Sequence, residues 1–412
     1  MTANYDILCV MNRFTKLGCG VLAVSSFIAG ALAAADVASP SAPLRVLMLG
    51  GGPDLAHNQT AIESNLRYVD RLLPKNAETR VLFYDGKPQS KDVLCEDARG
   101  RQYYRAPQLP RLDGPATLPA IKTEFRALAS GPASAPVLIY TTGHGSPGDV
   151  TLDNNDYDLW NGGYLSVKTL AGEVKTLPES MPVTLVMVQC FSGSFGNLLF
   201  ENGDPKAPLV NRDLCGFFAS VSARPAAGCT PEINEAEYHD FTGYFFEALS
   251  GRSRLGKPIT GADYNGDGHV GMDEAFAYAL IHDNSIDTPV CTSDVFLRRF
   301  VPAPDFEFVQ TRWSDLSAWA APAQRAALAS LAADLHLGGE GRLRGAFVLF
   351  HRMKVDAEDL PSVRVLRLMR LANSVVLAHR LLASEAPGDQ PLKARYKQLK
   401  AAEARNCLTG TP

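Results

Sequence analysis

Two short apolar runs constrain the fold of this 412-residue chain more than any other feature. The first covers residues 137–142 and is followed by Gly143-His144-Gly145, and the second covers residues 183–189 and ends at Cys190. Neither run alternates with polar residues, which is typical of strands buried on both faces of a parallel sheet. If the two strands are neighbours, His144 and Cys190 lie together at the carboxyl edge, where open α/β sheets bind their ligands.

The flanking sequence alternates between strand patterns and helix patterns. Further strands are predicted at residues 44–49, 80–84 and 217–222, and helices at residues 61–73, 118–128, 165–170 and 238–249. This alternation is typical of βαβ units and predicts an α/β domain over residues 43–300, with a mainly parallel sheet covered on both faces.

The composition and periodicity of the sequence change at about Trp313. Ala- and Leu-rich segments with charged faces predict helices at residues 321–335, 343–353, 363–382 and 392–404. Residues 310–412 are therefore expected to form a helical C-terminal module.

The N-terminal segment has the composition of a targeting signal. Arg13 and Lys16 precede an apolar stretch over residues 17–35 that ends in Ala-Leu-Ala-Ala-Ala. This order predicts a secretory signal peptide over residues 1–35 and an exported, periplasmic or secreted protein. An N-terminal membrane anchor is the alternative, because the apolar stretch is long.

Composition narrows the range of partners. The formal net charge is −4, the chain carries no basic run, and no internal apolar run is long enough to span a bilayer. We therefore expect no nucleic-acid partner and no membrane contact beyond the signal peptide.

A thiol beside an imidazole is the minimal set of groups for nucleophilic acyl transfer. The thiolate attacks a carbonyl, the imidazole transfers protons, and backbone N–H groups stabilise the oxyanion. Gly145 has no side chain, so its N–H can approach a substrate oxygen, and the N–H of Cys190 is the second candidate donor. The serines nearby do not lie in a Gly-x-Ser-x-Gly elbow, which argues against a serine hydrolase.

These two blocks resemble a known family. Residues 140–148 are similar to the histidine block, and residues 189–195 to the cysteine block, of the legumain (asparaginyl endopeptidase) family of caspase-like cysteine peptidases and its bacterial relatives. The resemblance implies a caspase-like three-layer α/β sandwich, with His144 as proton shuttle, Cys190 as nucleophile and Gly145 as oxyanion donor. A weaker match around Ser220 and Ser222 implies that these serines bind substrate.

The function implied is that of an exported cysteine endopeptidase acting on a protein or peptide substrate. Two alternatives use the same residues: a transamidase or ligase, and a catalytically silent, calcium-binding interaction protein. Phe191 stands where legumains carry an acidic residue that helps to recognise asparagine, so cleavage after asparagine is not implied.

A second motif predicts a metal site. Residues 263–274 fit the twelve-residue EF-hand loop, with Gly268 at its sharp turn. The predicted Ca²⁺ ligands are Asp263, Asn265, Asp267, the backbone carbonyl of His269, and Glu274. The loop stands alone and has no ordinary entering helix, so we expect a structural calcium rather than a sensor. A plain Asp/Asn/Gly turn before a helix is the alternative.

Six cysteines remain after the predicted leader, at positions 95, 190, 215, 229, 291 and 407. Export permits disulfides. Cys215 and Cys229 bracket a short segment and are the preferred pair, with buried free thiols as the alternative.

Overall fold

The apolar runs of the sequence form the centre of the structure, a computed structural model that describes residues 42–302, 307–353 and 359–409. The strands are β1 (Arg45–Gly50), β2 (Glu78–Phe83), β3 (Val93–Glu96), β4 (Gln102–Arg105), β5 (Val137–Thr141), β6 (Gly145–Ser146), β7 (Asp156–Leu159), β8 (Gly163–Ser166), β9 (Val183–Met187), β10 (Leu214–Phe218) and β11 (Val290–Cys291).

Six of these strands form the central sheet, in the order β2-β1-β5-β9-β10-β11. The first five are parallel, and the short strand β11 runs antiparallel to β10 at one edge. Two smaller sheets lie outside it: the hairpin β3-β4 and the three antiparallel strands β6-β7-β8. The two strands singled out in the sequence, β5 and β9, are direct neighbours at the centre.

The helices cover the sheet and form the C-terminal part. They are α1 (Thr60–Leu72), α2 (Leu118–Ala129), α3 (Val167–Lys175), α4 (Phe241–Ser250), α5 (Met272–His282), α6 (Thr292–Phe300), α7 (Trp313–Trp319), α8 (Pro322–Asp334), α9 (Arg342–Arg352), α10 (Leu360–Ala383) and α11 (Gln390–Glu403).

Alternate residues of each central strand enter two separate cores. Val46 and Met48 of β1 pack on the face covered by α1, α4 and α5, whereas Leu47 and Leu49 pack on the face covered by α2, α3 and α6. Because both faces are buried, the strands carry continuous apolar runs. The predicted α/β sandwich with a mainly parallel sheet and C-terminal helices is confirmed.

The C-terminal helices share these cores. Leu368 and Ala372 of α10 belong to the core that contains α5 and the sheet. Helix α11 packs at the amino end of β10, where Ala402 accepts a hydrogen bond from Cys215. Just after α11, Arg405 forms an ion pair of 2.7 Å with Asp213. This helix therefore lies at the edge of the sheet opposite to the one predicted to bind ligand.

Two details differ from the expectations. The strand predicted at residues 217–222 is instead Leu214–Phe218, because the residues from Ser220 onward already turn across the sheet edge. The sequence patterns predict no strand within residues 95–114, which include part of the hairpin β3-β4. The predicted signal peptide lies outside the described residues.

Among the residues that the structure describes, no helix has both the length and the apolar content needed to cross a membrane.

Candidate functional site

Strands β5 and β9 end side by side. Val137 is opposite Val183 and Thr141 is opposite Met187, and His144 and Cys190 each lie three residues beyond the end of their strand. The ladder persists beyond the strand ends, where the N–H of Val188 donates to the carbonyl of Thr141 over 3.0 Å. Both residues therefore follow neighbouring parallel strands at the carboxyl edge.

The His144 ring is held by the segment that follows β1, on the other side of β5. Its Nε2 donates to the backbone carbonyl of His57 over 3.1 Å and to Oε1 of Gln59 over 2.9 Å. A carbonyl oxygen only accepts, so Nε2 carries the proton and the other ring nitrogen, Nδ1, is the basic one. Gln59 and His57 thus fix the tautomer that a proton acceptor needs.

Cys190 sits at a sharp turn after β9. Phe191 has a φ of 60°, a left-handed conformation that is rare for a bulky residue, and the short helical segment Ser192–Leu199 follows. The Cys190 Sγ contacts the backbone of Ala226, whose N–H lies 3.3 Å away and whose carbonyl lies 3.6 Å away. A strained backbone such as the left-handed conformation of Phe191 is often found at functional sites. Whereas His144 bonds to the segment after β1, Cys190 bonds to the segment after β10.

Gly145 packs directly against the nucleophile candidate. A Cβ at this position would overlap the carbonyl oxygen of Cys190 and lie 2.8 Å from Cγ of Gln189. Gly143 is similarly restricted: its φ is 147°, and a Cβ would lie 2.6 Å from the carbonyl oxygen of Gly51. The sequence Gly-His-Gly is therefore required by close backbone approach on both sides of the histidine.

Burial keeps both reactive groups neutral. Burial, with the His57 ring nearby, lowers the pKa of His144 to about 4. Burial also raises the pKa of the Cys190 thiol, against a hydrogen bond from Ala226 that lowers it. At neutral pH the resting pair is a thiol and an uncharged imidazole, not an ion pair.

A segment after β10, residues 219–232, crosses the sheet edge above these groups. The N–H of Phe191 donates to Arg224, Ala226 contacts Cys190, and the Cys229 thiol donates to the Gly143 carbonyl over 3.4 Å. The segment thus lines the site from the end of β9 to the end of β5.

The two serines of the weaker sequence match belong to this segment. Ser220 is fully buried and hydrogen-bonded to Thr288, while the carbonyl of the half-buried Ser222 accepts from Asn155. A Cβ on Gly193 would lie 2.7 Å from the Ser220 carbonyl oxygen, so both serines adjoin the turn that follows Cys190. The Ser220 side chain faces the protein interior, whereas Ser222 adjoins the site through its backbone.

The C-terminal part supports the crossing segment through one buried arginine. Arg367 of α10 donates to the carbonyls of Asp283, Ser285 and Asp287 over 2.6, 3.2 and 2.8 Å. The carboxylate of Asp287 in turn accepts from the N–H of Ala227 over 2.6 Å, one residue after the group that contacts the Cys190 thiol. The C-terminal helices are thereby connected to the site.

The cysteine pairing expected from the sequence is wrong. All six described cysteines, including Cys215 and Cys229, are free thiols. Cys215 lies at the amino end of β10 against Ala402, whereas Cys229 lies against Gly143 at the carboxyl edge. The length of the strand separates them.

The predicted calcium loop precedes α5, at the far end of this helix from Asp283. Over the eleven residues of α5 the separation is about 16 Å. Gly266 and Gly268 have φ values of 76° and 86°, and their N–H groups donate to the carboxylate of Asp263.

The other predicted ligands also accept hydrogen bonds from the loop. Asn265 accepts from Asp267, Asp267 accepts from His269, and both oxygens of Glu274 accept from backbone N–H groups. Within the described ranges, no group of three or more His, Cys, Asp and Glu side chains is gathered in a metal-binding arrangement. The hard oxygen donors suit Ca²⁺ by their chemistry, but the carboxylates of Asp263, Asp267 and Glu274 do not form such a group.

Several residues of the site carried no recognisable signal in the sequence. The most important are Gln59 and His57, which orient His144, and Ala226 and Cys229, which line the site. They belong to loops without a motif and come together only through the strand order. The side chain of Asp158 also lies here: it accepts from Ser146, and its N–H donates to the carbonyl of His144.

The sequence matches no protein-family profile. It also matches no curated protein. Remote structural similarities exist. Protein GSU0716 from Geobacter sulfurreducens has 12% identity and a TM-score of 0.35, over 60% of this chain and 92% of that one. A secreted C11 cysteine protease from Bacteroides thetaiotaomicron, solved with an irreversible peptide inhibitor, has 14% identity and a TM-score of 0.29, over 66% and 71%.

Raptor from Chaetomium thermophilum has 13% identity and a TM-score of 0.28, and the match covers 90% of this chain but only 29% of Raptor. TM-scores this low do not indicate a shared function, so the function is inferred from the residues of the site.

Proposed function

We propose that this protein is a cysteine endopeptidase in which Cys190 is the nucleophile and His144 the proton carrier. The observation that carries this proposal is that His144 and Cys190 follow β5 and β9, which are neighbouring parallel strands, at one edge of the sheet. The Gly145 backbone packed against Cys190 and the fixed tautomer of His144 support it further.

The reaction starts from the neutral pair. As the Cys190 sulfur attacks the peptide carbonyl, its proton moves to Nδ1 of His144. The imidazolium keeps its Nε2 bond to Gln59 and to the His57 carbonyl, and both oxygens stabilise the positive charge. The N–H groups of Gly145 and Cys190 donate to the oxyanion.

The two remaining steps use the same groups. The imidazolium gives its proton to the leaving amine, which departs and leaves a thioester on Cys190. A water molecule, activated by the neutral His144, then hydrolyses the thioester and restores the thiol. If an amine takes the place of water, the same chemistry gives a transamidase or ligase, one of the two alternatives that the sequence leaves open.

The experiment that tests this function is digestion of a peptide library by the full chain, with products identified by mass spectrometry. We expect defined cleavage sites that disappear in Cys190→Ala and His144→Ala, and that persist in Cys407→Ala, a buried thiol far from the site. The same digest with an added amine separates hydrolysis from transfer. Cleavage that survives in Cys190→Ala would refute the assignment.

We also propose that the loop at residues 263–274 binds a structural Ca²⁺. Asp263, Asn265, Asp267, the His269 carbonyl and Glu274 would hold the ion after the carboxylates release their backbone hydrogen bonds. Their hard oxygen chemistry and the two glycines with positive φ support this proposal. The ion would fix the start of α5, which ends at the segment supporting the site.

Calcium binding to the loop is tested by thermal unfolding. We expect the melting temperature to rise by several degrees with millimolar Ca²⁺, since a ligand at 100 times its Kd stabilises by about 2.7 kcal/mol. Asp263→Ala should remove most of this rise, and Asp315→Ala should keep it. A calcium response identical in parent and Asp263→Ala would exclude this loop as the site.

We further propose that residues 1–35 act as a signal peptide and that the protein is exported. N-terminal sequencing of the protein recovered from its producing cell should give a mature chain that begins near residue 36. Recovery of the intact N-terminus would contradict cleavage.

A further inference from the structure

The Cys190 sulfur is held by the segment of residues 219–232 and not by the imidazole. Its thiol donates to the Ala226 carbonyl over 3.6 Å, and the Ala226 N–H donates to the sulfur over 3.3 Å. The hydrogen bonds of the His144 ring go to the segment after β1. Within the described residues no hydrogen bond joins the thiol to the imidazole, so the proton that the reaction must transfer faces a backbone carbonyl instead.

The Ala226 backbone also occupies one side of the sulfur. A carbonyl carbon must come within about 3–3.5 Å of a nucleophile before a bond can form. The Ala226 nitrogen already lies at this distance, 3.3 Å from the sulfur. A peptide carbonyl that approaches Cys190 from this side therefore has to displace Ala226.

One buried carboxylate holds this part of the segment in place. Asp287 is fully buried, and one of its carboxylate oxygens accepts from the N–H of Ala227 over 2.6 Å. The other oxygen accepts from the N–H of Phe241, at the start of α4, over 2.9 Å. Hydrogen bonds to a carboxylate are shorter and stronger than those between neutral groups. Asp287 therefore fixes the residue next to Ala226 to the start of a helix.

Two weaker bonds hold the segment on either side of Ala226. The buried Asn155 donates to the Ser222 carbonyl over 2.8 Å, and the Cys229 thiol donates to the Gly143 carbonyl over 3.4 Å. Both pairs are uncharged, so each contributes less than a bond to a carboxylate. The loss of Asp287 should therefore release Ala226 while the rest of the segment stays attached.

We propose that Asp287 is a positioning residue that, through Ala226, restrains the Cys190 thiol. In the resting state the restraint directs the thiol proton to the Ala226 carbonyl, and a substrate peptide must displace Ala226 before the thiol reacts. The inference rests on the proposed function only for the identity of the nucleophile, because the restraint acts on the thiol whether or not the chain cleaves peptides.

The test is the rate at which iodoacetamide, a small electrophile, alkylates Cys190 in the full chain, followed by mass spectrometry over a range of pH. The pH dependence separates the pKa of the thiol from the limiting rate of the thiolate. In Asp287→Ala we expect the limiting rate to rise at least tenfold, because Ala226 is released. Loss of the Asp287 charge alone would lower the pKa of Cys190 and leave the limiting rate unchanged. Asp315→Ala removes an exposed carboxylate of α7 and should change neither quantity.

Three buried thiols report whether the variant is folded. Cys215, Cys291 and Cys407 are buried and should stay unlabelled under the same conditions. If they are labelled in Asp287→Ala, Asp287→Asn takes its place; it keeps an acceptor oxygen for one of the two N–H groups, and the limiting rate should rise at least threefold.

The proposal is overturned if the limiting rate of the Cys190 thiolate is unchanged or falls in the folded variant, including the case in which only the pKa moves. Failure of the peptidase proposal has a different signature: the parent chain cleaves no peptide, although the alkylation rates change as expected.

Discussion

Gln59 offers the sharpest test of how the imidazole is held. Its Oε1 accepts from Nε2 of His144 over 2.9 Å, and the His57 carbonyl accepts from the same nitrogen over 3.1 Å. A neutral hydrogen bond contributes about 0.5–1.5 kcal/mol, and one to a charged group about 1.5–3 kcal/mol. In Gln59→Ala the second acceptor remains, so we expect a loss of about 1.4 kcal/mol, or about tenfold in the alkylation rate of Cys190.

Gln59→Glu changes the charge instead of removing the bond. A carboxylate about 3–4 Å from the ring attracts the imidazolium by roughly 4 kcal/mol at an effective dielectric constant of 20, and solvent at this half-exposed position reduces that value. The pKa of His144, held at about 4 by burial, should therefore rise toward neutrality. The imidazolium then favours the Cys190 thiolate, and the alkylation profile should move to lower pH.

The assay is the rate of Cys190 carboxamidomethylation between pH 5 and 10, followed by mass spectrometry of the Cys190 peptide. Gln398→Glu, the same change on an exposed face of α11, is the matched control and should leave the profile unchanged. Identical profiles for the parent, Gln59→Glu and His144→Ala would refute the reasoning, because His144 would then have no influence on the thiol.

Two further predictions concern the scaffold of the site. Gly145→Ala should abolish alkylation of Cys190 and lower the free energy of unfolding, measured by chemical denaturation, by about 1–3 kcal/mol, because the added Cβ overlaps the Cys190 carbonyl. In the same denaturation assay Gly172→Ala in α3, where a Cβ meets open space, should be neutral or stabilising. Arg367→Ala should lower the free energy of unfolding by about 3–5 kcal/mol, because three backbone carbonyls and Asp283 lose a buried partner. Arg364→Ala, which breaks a partly exposed pair with Asp334, should cost at most about 1 kcal/mol. Equal losses for the two arginines would contradict the structural role of Arg367.

The sheet could be predicted because burial determines which residues its strands contain. Strands β5 and β9 are buried on both faces, so each carries a continuous apolar run, and the polar residue after each run marks the sheet edge. The helices of the C-terminal part were predictable for the same reason, from their apolar periodicity.

The loops of the site were not predictable in this way. Gln59 and Ala226 contact the reactive residues from the ends of other strands, so their roles depend on the strand order and not on neighbours in sequence. The free thiols Cys215 and Cys229 are close in sequence, but a strand with its ends at opposite edges keeps them apart.

The most direct test of the dyad is labelling of the full chain with a peptidyl acyloxymethyl ketone, which alkylates a thiol through a bound peptide. At neutral pH we predict one adduct per chain on Cys190, formed at least tenfold more slowly in His144→Ala and at the parent rate in Cys407→Ala. An adduct on another cysteine, or labelling of Cys190 at the same rate without His144, would contradict the pairing of thiol and imidazole.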